Sequence, residues 1–119
     1  MFADALKMQR AAAREGFDWR RAQDLWPKLA EEIAELRSAR TSKARKEELG
    51  DLLFMLVNLS RHLNVNAAAA LAAANRKFTR RYAHVRRHRA TLPPLGDPRR
   101  LDAMEQFWLE AKRIERKRK

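Results

Sequence analysis

Apolar residues return every three to four positions through most of this chain, the period of helices that bury one face. Leu25, Leu29, Ile33 and Leu36 form one such stripe. Met55 and Leu59 continue another that begins near Leu52. No alternating run of β-branched residues competes with this pattern, so an all-α chain is predicted. "LKMQRAAARE" reads as a short first helix. Asp18 is placed to cap a second, running to about Ala39, in which Pro27 should cause a kink or a split near Asp24. A turn at "RTSK" leads to a third helix from about Lys43 to Leu63, with Asn64 as its C′ residue and Asn66 as the next cap. A fourth covers Ala67 to about Arg89, and the loop "TLPPLGDP" leads to a last helix capped by Asp97 or Asp102. Leu52 to Val57, "LLFMLV", is apolar on every side, which predicts that the third helix is central and buried.

Composition agrees with helices throughout: Gly occurs 3 times and Pro 4 times. A chain of 119 residues suits one modest core, and a single domain over 1–119 is expected, with a basic tail from about residue 113. With no cysteine, disulfides and thiolate metal sites are excluded. No segment approaches the ~20 apolar residues of a membrane-spanning helix, and the N-terminus lacks the apolar run of a signal peptide, so a cytoplasmic protein with no membrane partner is the expectation. The net charge of +12 is uneven. Residues 1–75 are near balance, with twelve basic against ten acidic side chains, whereas 76–119 carry fifteen basic against five acidic. That second part would attract a polyanion, such as nucleic acid or the phosphates of a nucleotide.

Against this basic background stand five carboxylates in two short clusters, "EEIAE" at 31–35 and "ELGD" at 48–51. Glu32 and Glu35 are three apart on the side of the helix that carries Leu25, Leu29 and Leu36. Glu48 and Asp51 share a side with Leu52, Met55 and Leu59. Carboxylates on core-facing stripes are costly unless protonated, paired or bound to a cation. Four of them converging from consecutive helices would make an all-oxygen site suited to Mg2+ or Mn2+. An E-x-x-E alone is usually a solvated helix face. The second acidic pair on the apolar helix makes that reading less adequate, as does Gly50, whose cost of ~1 kcal/mol inside a helix suggests a close approach. His62, His84 and His88 show no ligand spacing and are expected at the surface.

"EEIAEL" followed by "EELGDLLFMLVNLSRHLNVNAAAALAAANRKFTRRY" resembles the MazG nucleoside triphosphate pyrophosphohydrolases of the all-α NTP pyrophosphatase group. "LKMQRAAAREGFDW" upstream and "MEQFWLEAKR" downstream continue the likeness over nearly the whole chain, which resembles the C-terminal, catalytic domain of two-domain members. The resemblance implies a four-helix core with an additional C-terminal helix, a homodimer, and Mg2+-dependent hydrolysis of nucleoside triphosphates to monophosphate and pyrophosphate. It implies that Glu32, Glu35, Glu48 and Asp51 bind the metal and that Glu31 orients a water. It assigns Lys77 and Arg81 to substrate phosphates and Trp108 and Lys112 to the nucleotide, with Asn75 as a further contact. Spacing supports part of this, since Lys77 with Arg81 and Trp108 with Lys112 are each four apart and share a face.

Two other readings compete. A basic helical protein that binds nucleic acid or another acidic partner without catalysis would explain residues 76–119 and leave the inward-facing acids without a role. The same fold acting on dUTP or phosphoribosyl-ATP would keep every motif residue and change only the substrate.

Overall fold

The computed structural model describes residues 1–118 and is all-helical, with no strand among them. Its elements are α1 (Phe2–Arg14), a 3-10 turn (Ala22–Asp24), α2 (Leu25–Ser38), α3 (Ser42–His62), α4 (Ala67–Arg87), a second 3-10 turn (Arg89–Thr91) and α5 (Arg99–Lys117). The chain divides into two compact units, Met1–Leu71 and Ala72–Lys119, with α4 crossing the boundary. Lys119, the end of the basic tail, lies outside the described residues.

In the first unit α2 and α3 form a hairpin, and α1 also packs against α3. Leu25, Leu29, Met55 and Leu59 make one buried cluster with Leu52 packed against it, so the start of α2 meets the end of α3 and the pair is antiparallel. The connection is short because Thr41 caps α3 at once, its Oγ1 accepting from the Ala44 N–H at 3.0 Å. At the other end Asn64 adopts φ +59, as expected of a C′ residue, and the Val65 N–H reaches back to the Ser60 carbonyl at 2.8 Å. Asn66 caps α4 by accepting from Ala69 N–H at 2.9 Å.

The predicted second helix divides near Asp24, and Pro27 falls in the first turn of α2. There the missing N–H is one that has no intrahelical acceptor in any case, so the proline is tolerated without a kink. Three expectations need correction. Asp18 does not cap a helix: it accepts two hydrogen bonds from the Arg61 guanidinium, at 2.8 and 2.6 Å, and lies 3.0 Å from His62 Nε2. The stripe of α2 runs through Glu32 rather than Ile33, since Glu32 is buried and Ile33 is 47% exposed. Nor is α3 buried all round. Met55, Val57 and Leu59 are inside, but Leu53, Phe54 and Leu56 are 40–43% exposed, because six consecutive apolar residues wrap a helix completely and its neighbours in the unit cover only part of it.

The second unit is thinner. Val85 and Ala111 are its only buried residues among those described. Asp97 starts α5 from just outside, accepting from the Arg99 N–H at 2.9 Å and pairing with the Arg99 guanidinium, while Asp102 lies within the first turn. Arg100 ties the loop down by donating to the Pro93 carbonyl at 2.7 Å. Among the described residues no helix is long and apolar enough to cross a membrane.

Candidate active site

The α2–α3 seam changes character along its length. At the end far from the connection it is apolar, and two turns before the connection it becomes acidic. On α2 the buried positions are Leu25, Leu29 and Glu32, spaced four and three apart, so a glutamate occupies the next place of the core stripe. On α3, Glu48 precedes Leu52, Met55 and Leu59 at the same spacing and is half-buried. Glu32, Glu48 and Asp51 each offer an oxygen within 4.8 Å of the others'. The Oε2 atoms of Glu32 and Glu48 are buried and have no hydrogen-bond partner.

Like charges brought together in this way disfavour ionisation. Burial first, then a hydrogen bond with Glu35, then the charges of Glu35, Asp51 and Glu32 raise the Glu48 carboxyl above its ordinary range. Glu35 thus stands at the edge of the cluster, against Glu48, and is itself exposed, as is Asp51. The expectation that both acidic pairs face the core therefore holds for Glu32 and in part for Glu48. Glu31 is exposed and outside the cluster but reaches its edge through a shared lysine: its Oε1 and that of Glu32 both lie 3.4 Å from Lys28 Nζ. Those two glutamates hold the Lys28 ammonium above its usual range, Glu31 contributing most. One lysine at 3.4 Å does not satisfy three converging carboxylates with two orphaned oxygens. A hard divalent cation fits that donor set.

Gly50 shows no close approach within the chain, since nothing lies within 4 Å of the position its Cβ would take. Farther along α3 opens a hollow of about 390 Å3, lined on its apolar side by Phe17, Trp19 and Phe54 and on its polar side by Gln9, Asn58 and Arg61. Gln9 is 5% exposed. Its Nε2 donates to the Phe54 carbonyl at 3.0 Å, and its Oε1 has no partner. Asp18 holds Arg61 at one edge, and the guanidinium keeps the Asp18 carboxyl far below the ordinary carboxylate range. Neither Gln9 nor Asp18 was legible as a site residue. The likeness carried by "LKMQRAAAREGFDW" assigns no role to Gln9, and the partners of Asp18 lie 43 and 44 positions away.

In the second unit the basic residues separate. Lys77 is exposed, and no ion pair to it is present among the described residues. Arg81 is folded down, with Nη2 3.0 Å from Glu115 and its guanidinium carbon 5.6 Å from the centre of the Trp108 ring. Phe78 packs on Trp108 and Tyr82, with ring centres 5.5 and 5.6 Å away. Lys112 is half-buried, and Asn75 is exposed with its carbonyl accepting from Thr79. The histidines are not plain surface residues. His62, His84 and His88 are each half-buried, and His84 with His88 joins Glu110 in a second cluster of metal-capable groups.

The model of the MazG nucleotide pyrophosphohydrolase domain matches residues 20–86, a stretch that takes in all five clustered acids together with Asn75, Lys77 and Arg81. A nucleoside triphosphate pyrophosphohydrolase of Escherichia coli K12 is 41% identical over 116 residues, covering 93% of this chain and 44% of that protein. The nucleoside triphosphate pyrophosphohydrolase/pyrophosphatase MazG of Thermotoga maritima is 45% identical over 78 residues, 66% of this chain and 31% of its own length. The uncharacterized protein YabN of Bacillus subtilis is 36% identical over 72 residues, 60% of this chain and 15% of its own. The chain thus spans less than half of the length of these relatives. With the family's domain matched over more than half of its residues, the chain belongs to the MazG nucleotide pyrophosphohydrolase family.

Proposed function

We propose that this chain hydrolyses nucleoside triphosphates to the monophosphate and pyrophosphate, using Mg2+ (or Mn2+) held by Glu32, Glu35, Glu48 and Asp51. The observation that carries this reading is the meeting of three carboxylates in the α2–α3 seam with two buried oxygens left unpartnered. A bound divalent cation would neutralise phosphate charge and polarise the phosphorus under attack. The carboxylates fix its position, and Lys28 holds the Glu32 side chain by an ion pair that a cation would replace. Glu31, bonded to the same lysine, is the carboxylate outside the cluster and is assigned to orient the attacking water and take its proton. The water oxygen bonds to the α-phosphorus as the bond to the bridging oxygen breaks, and that oxygen leaves with pyrophosphate.

The aromatic hollow supports a nucleotide rather than a bare polyphosphate. Asn58 lies seven residues beyond Asp51 on α3, about 10 Å along the axis, a span that a nucleoside monophosphate unit can bridge. Phe17, Trp19 and Phe54 offer faces for a base, and Gln9 and Asn58 offer polar edges. Lys77 and Arg81 are assigned to phosphate, and Asn75, Trp108 and Lys112 to the nucleotide. We assign the open stripe of Leu49, Leu53 and Leu56, 41–47% exposed, to a second copy of the chain, making a homodimer, and place the protein in the cytoplasm.

The test is a panel of canonical and modified triphosphates with Mg2+, including dUTP and phosphoribosyl-ATP, with products resolved by ion exchange. Monophosphate and pyrophosphate are expected, with label from 18O-water in the monophosphate. Label in pyrophosphate would move the attack to the β-phosphorus. Release of orthophosphate and diphosphate, or salt-sensitive duplex binding without turnover, would overturn the reading.

A further inference from the structure

The proposed reaction makes no use of the second cluster of metal-capable groups. His84 lies in the last turn of α4 and His88 is the first residue beyond that helix, in the turn that leads to Arg89–Thr91, and their rings meet. From α5, Phe107 and Glu110 face them, three apart. His84 Nε2 lies 3.2 Å from Glu110 Oε1. The two imidazoles stand edge to face, with centres 5.1 Å apart. Phe107 stacks flat on His88, at 4.1 Å and an interplanar angle of 1°, and so restrains that ring. One ligand atom from each of His84, His88 and Glu110 lies within 4.8 Å of the other two.

A simple His–Glu hydrogen bond accounts for His84 and Glu110 but leaves His88 without a role. Among the described residues nothing bonds the nitrogens of the His88 ring, although the stack on Phe107 holds it beside the pair. Two imidazole nitrogens and one carboxylate oxygen are borderline donors, which suit Zn2+, Co2+ or Ni2+ and do not suit Mg2+. The site also lies where the fold has least else to hold it. Among the described residues of this unit Val85 and Ala111 alone are buried, and each is next to a member of the cluster in sequence. A small helix pair with so thin a core is the kind of structure that a metal staples.

We infer that His84, His88 and Glu110 form a transition-metal site of the zinc class that clasps the end of α4 to α5, separate from the carboxylate cluster. It stands independently of the proposed hydrolysis. The test is calorimetric titration of the purified, metal-stripped 119-residue chain with Zn2+ in the presence of 5–10 mM (about a thousandfold excess) Mg2+. We expect one Zn2+ per chain that Mg2+ does not displace and that raises the melting midpoint. His84→Gln and His88→Gln should each weaken Zn2+ at least ~100-fold, and Glu110→Gln about tenfold, while Glu48→Gln leaves this binding unchanged. Co2+ should give the visible absorption of a four-coordinate ion in the parent and lose it in His88→Gln. Equal Zn2+ affinity in the parent and both histidine variants, or loss of the Zn2+ with Glu48→Gln, would overturn the inference. The two histidine variants are checked by helical circular dichroism in EDTA. If one unfolds, the other and the Co2+ spectrum of Glu110→Gln still decide.

Discussion

Each unit of this molecule gathers metal-capable side chains between two helices, and the two gatherings differ in kind. In the first, Glu32 and Glu48 take stripe positions beyond the apolar part of the seam, Asp51 joins them from the exposed side, and two oxygens are buried without partners. In the second, two histidines and a glutamate sit where packing is thin, already partly engaged with one another. Hard oxygen donors under mutual repulsion suit a hard cation, and in the proposed hydrolysis their cost to the apoprotein would be offset when that cation binds. Mixed nitrogen and oxygen donors select a softer cation, and at that point any ligand holding two helices together adds to a small core. The lesson is that donor chemistry and local packing, taken together, separate a working site from a fastening.

The sharpest way to break this comparison is to remove one acid. Glu32→Gln or Asp51→Asn should lower kcat/KM for triphosphate hydrolysis by at least ~1000-fold, about 4 kcal/mol, and leave Zn2+ binding by His84 and His88 unchanged. Pyrophosphate release and calorimetry on the same preparations check both halves. If the acid variants retain turnover, the contrast between the clusters has no functional content.

The next effect is on stability. Mg2+ at 100 times its dissociation constant should stabilise the parent by ~2.7 kcal/mol in thermal melts and Glu48→Gln by much less. In EDTA the order should reverse with pH. Because the folded Glu48 carboxyl titrates above its ordinary 4.5, the folded state holds a proton that the unfolded chain has already lost. The parent therefore loses stability as pH rises from about 4.5 through the raised value, and Glu48→Gln does not. Asp18 supplies the opposite case in the same unit. Its carboxyl, paired with Arg61, is held below its ordinary 3.8, so its contribution is present above that pH and is lost as pH falls toward the folded value. Asp18→Asn should cost about 1–3 kcal/mol at pH 7 and less at pH 3 in chemical denaturation. Equal slopes for the two variants would show that both acids are ordinary surface groups.

Within the basic residues the contrast is between position and bulk charge. Lys77→Ala should lower kcat/KM about 10- to 150-fold, the worth of roughly 1.5–3 kcal/mol in a charge-assisted contact. Deleting Arg116 to Lys119 should change it less than about threefold at ~0.15 M salt. A large loss from the tail and none from Lys77 would reverse the assignment.

The helices were legible because their signals are local. Stripe periodicity, the turn at "RTSK", Asn66 as a cap, Asn64 at positive φ and the break at Asp24 all depend on neighbours a few residues away. The acidic pairs were legible for the same reason, each lying within one turn. What sequence did not reveal depends on contacts between distant segments. The apolar pattern admits Ile33 to the α2 stripe beside Glu32, and its exposure follows from a rotation of about one residue that periodicity alone does not resolve. Asp18 finds Arg61 and His62 only after α1 and α3 have packed, and Glu110 meets His84 only across the loop between α4 and α5. Exposure of Leu53, Phe54 and Leu56 was missed because periodicity reports which sides are apolar, not how many neighbours exist to cover them.

Glu32 has a consequence for laboratory evolution. It occupies the place in the α2 stripe where the pattern of Leu25 and Leu29 calls for another leucine, one step along from the apolar cluster those two form with Met55 and Leu59. Glu32→Leu would extend the core by one layer and remove the repulsion with Glu48 and Asp51 at a stroke. Screening random variants for heat resistance alone should therefore enrich Leu or Met at this position among the stabilised clones, each of them inactive. A selection that demands turnover at every round would keep the glutamate and send thermostability elsewhere, so position 32 reports which pressure a population has experienced.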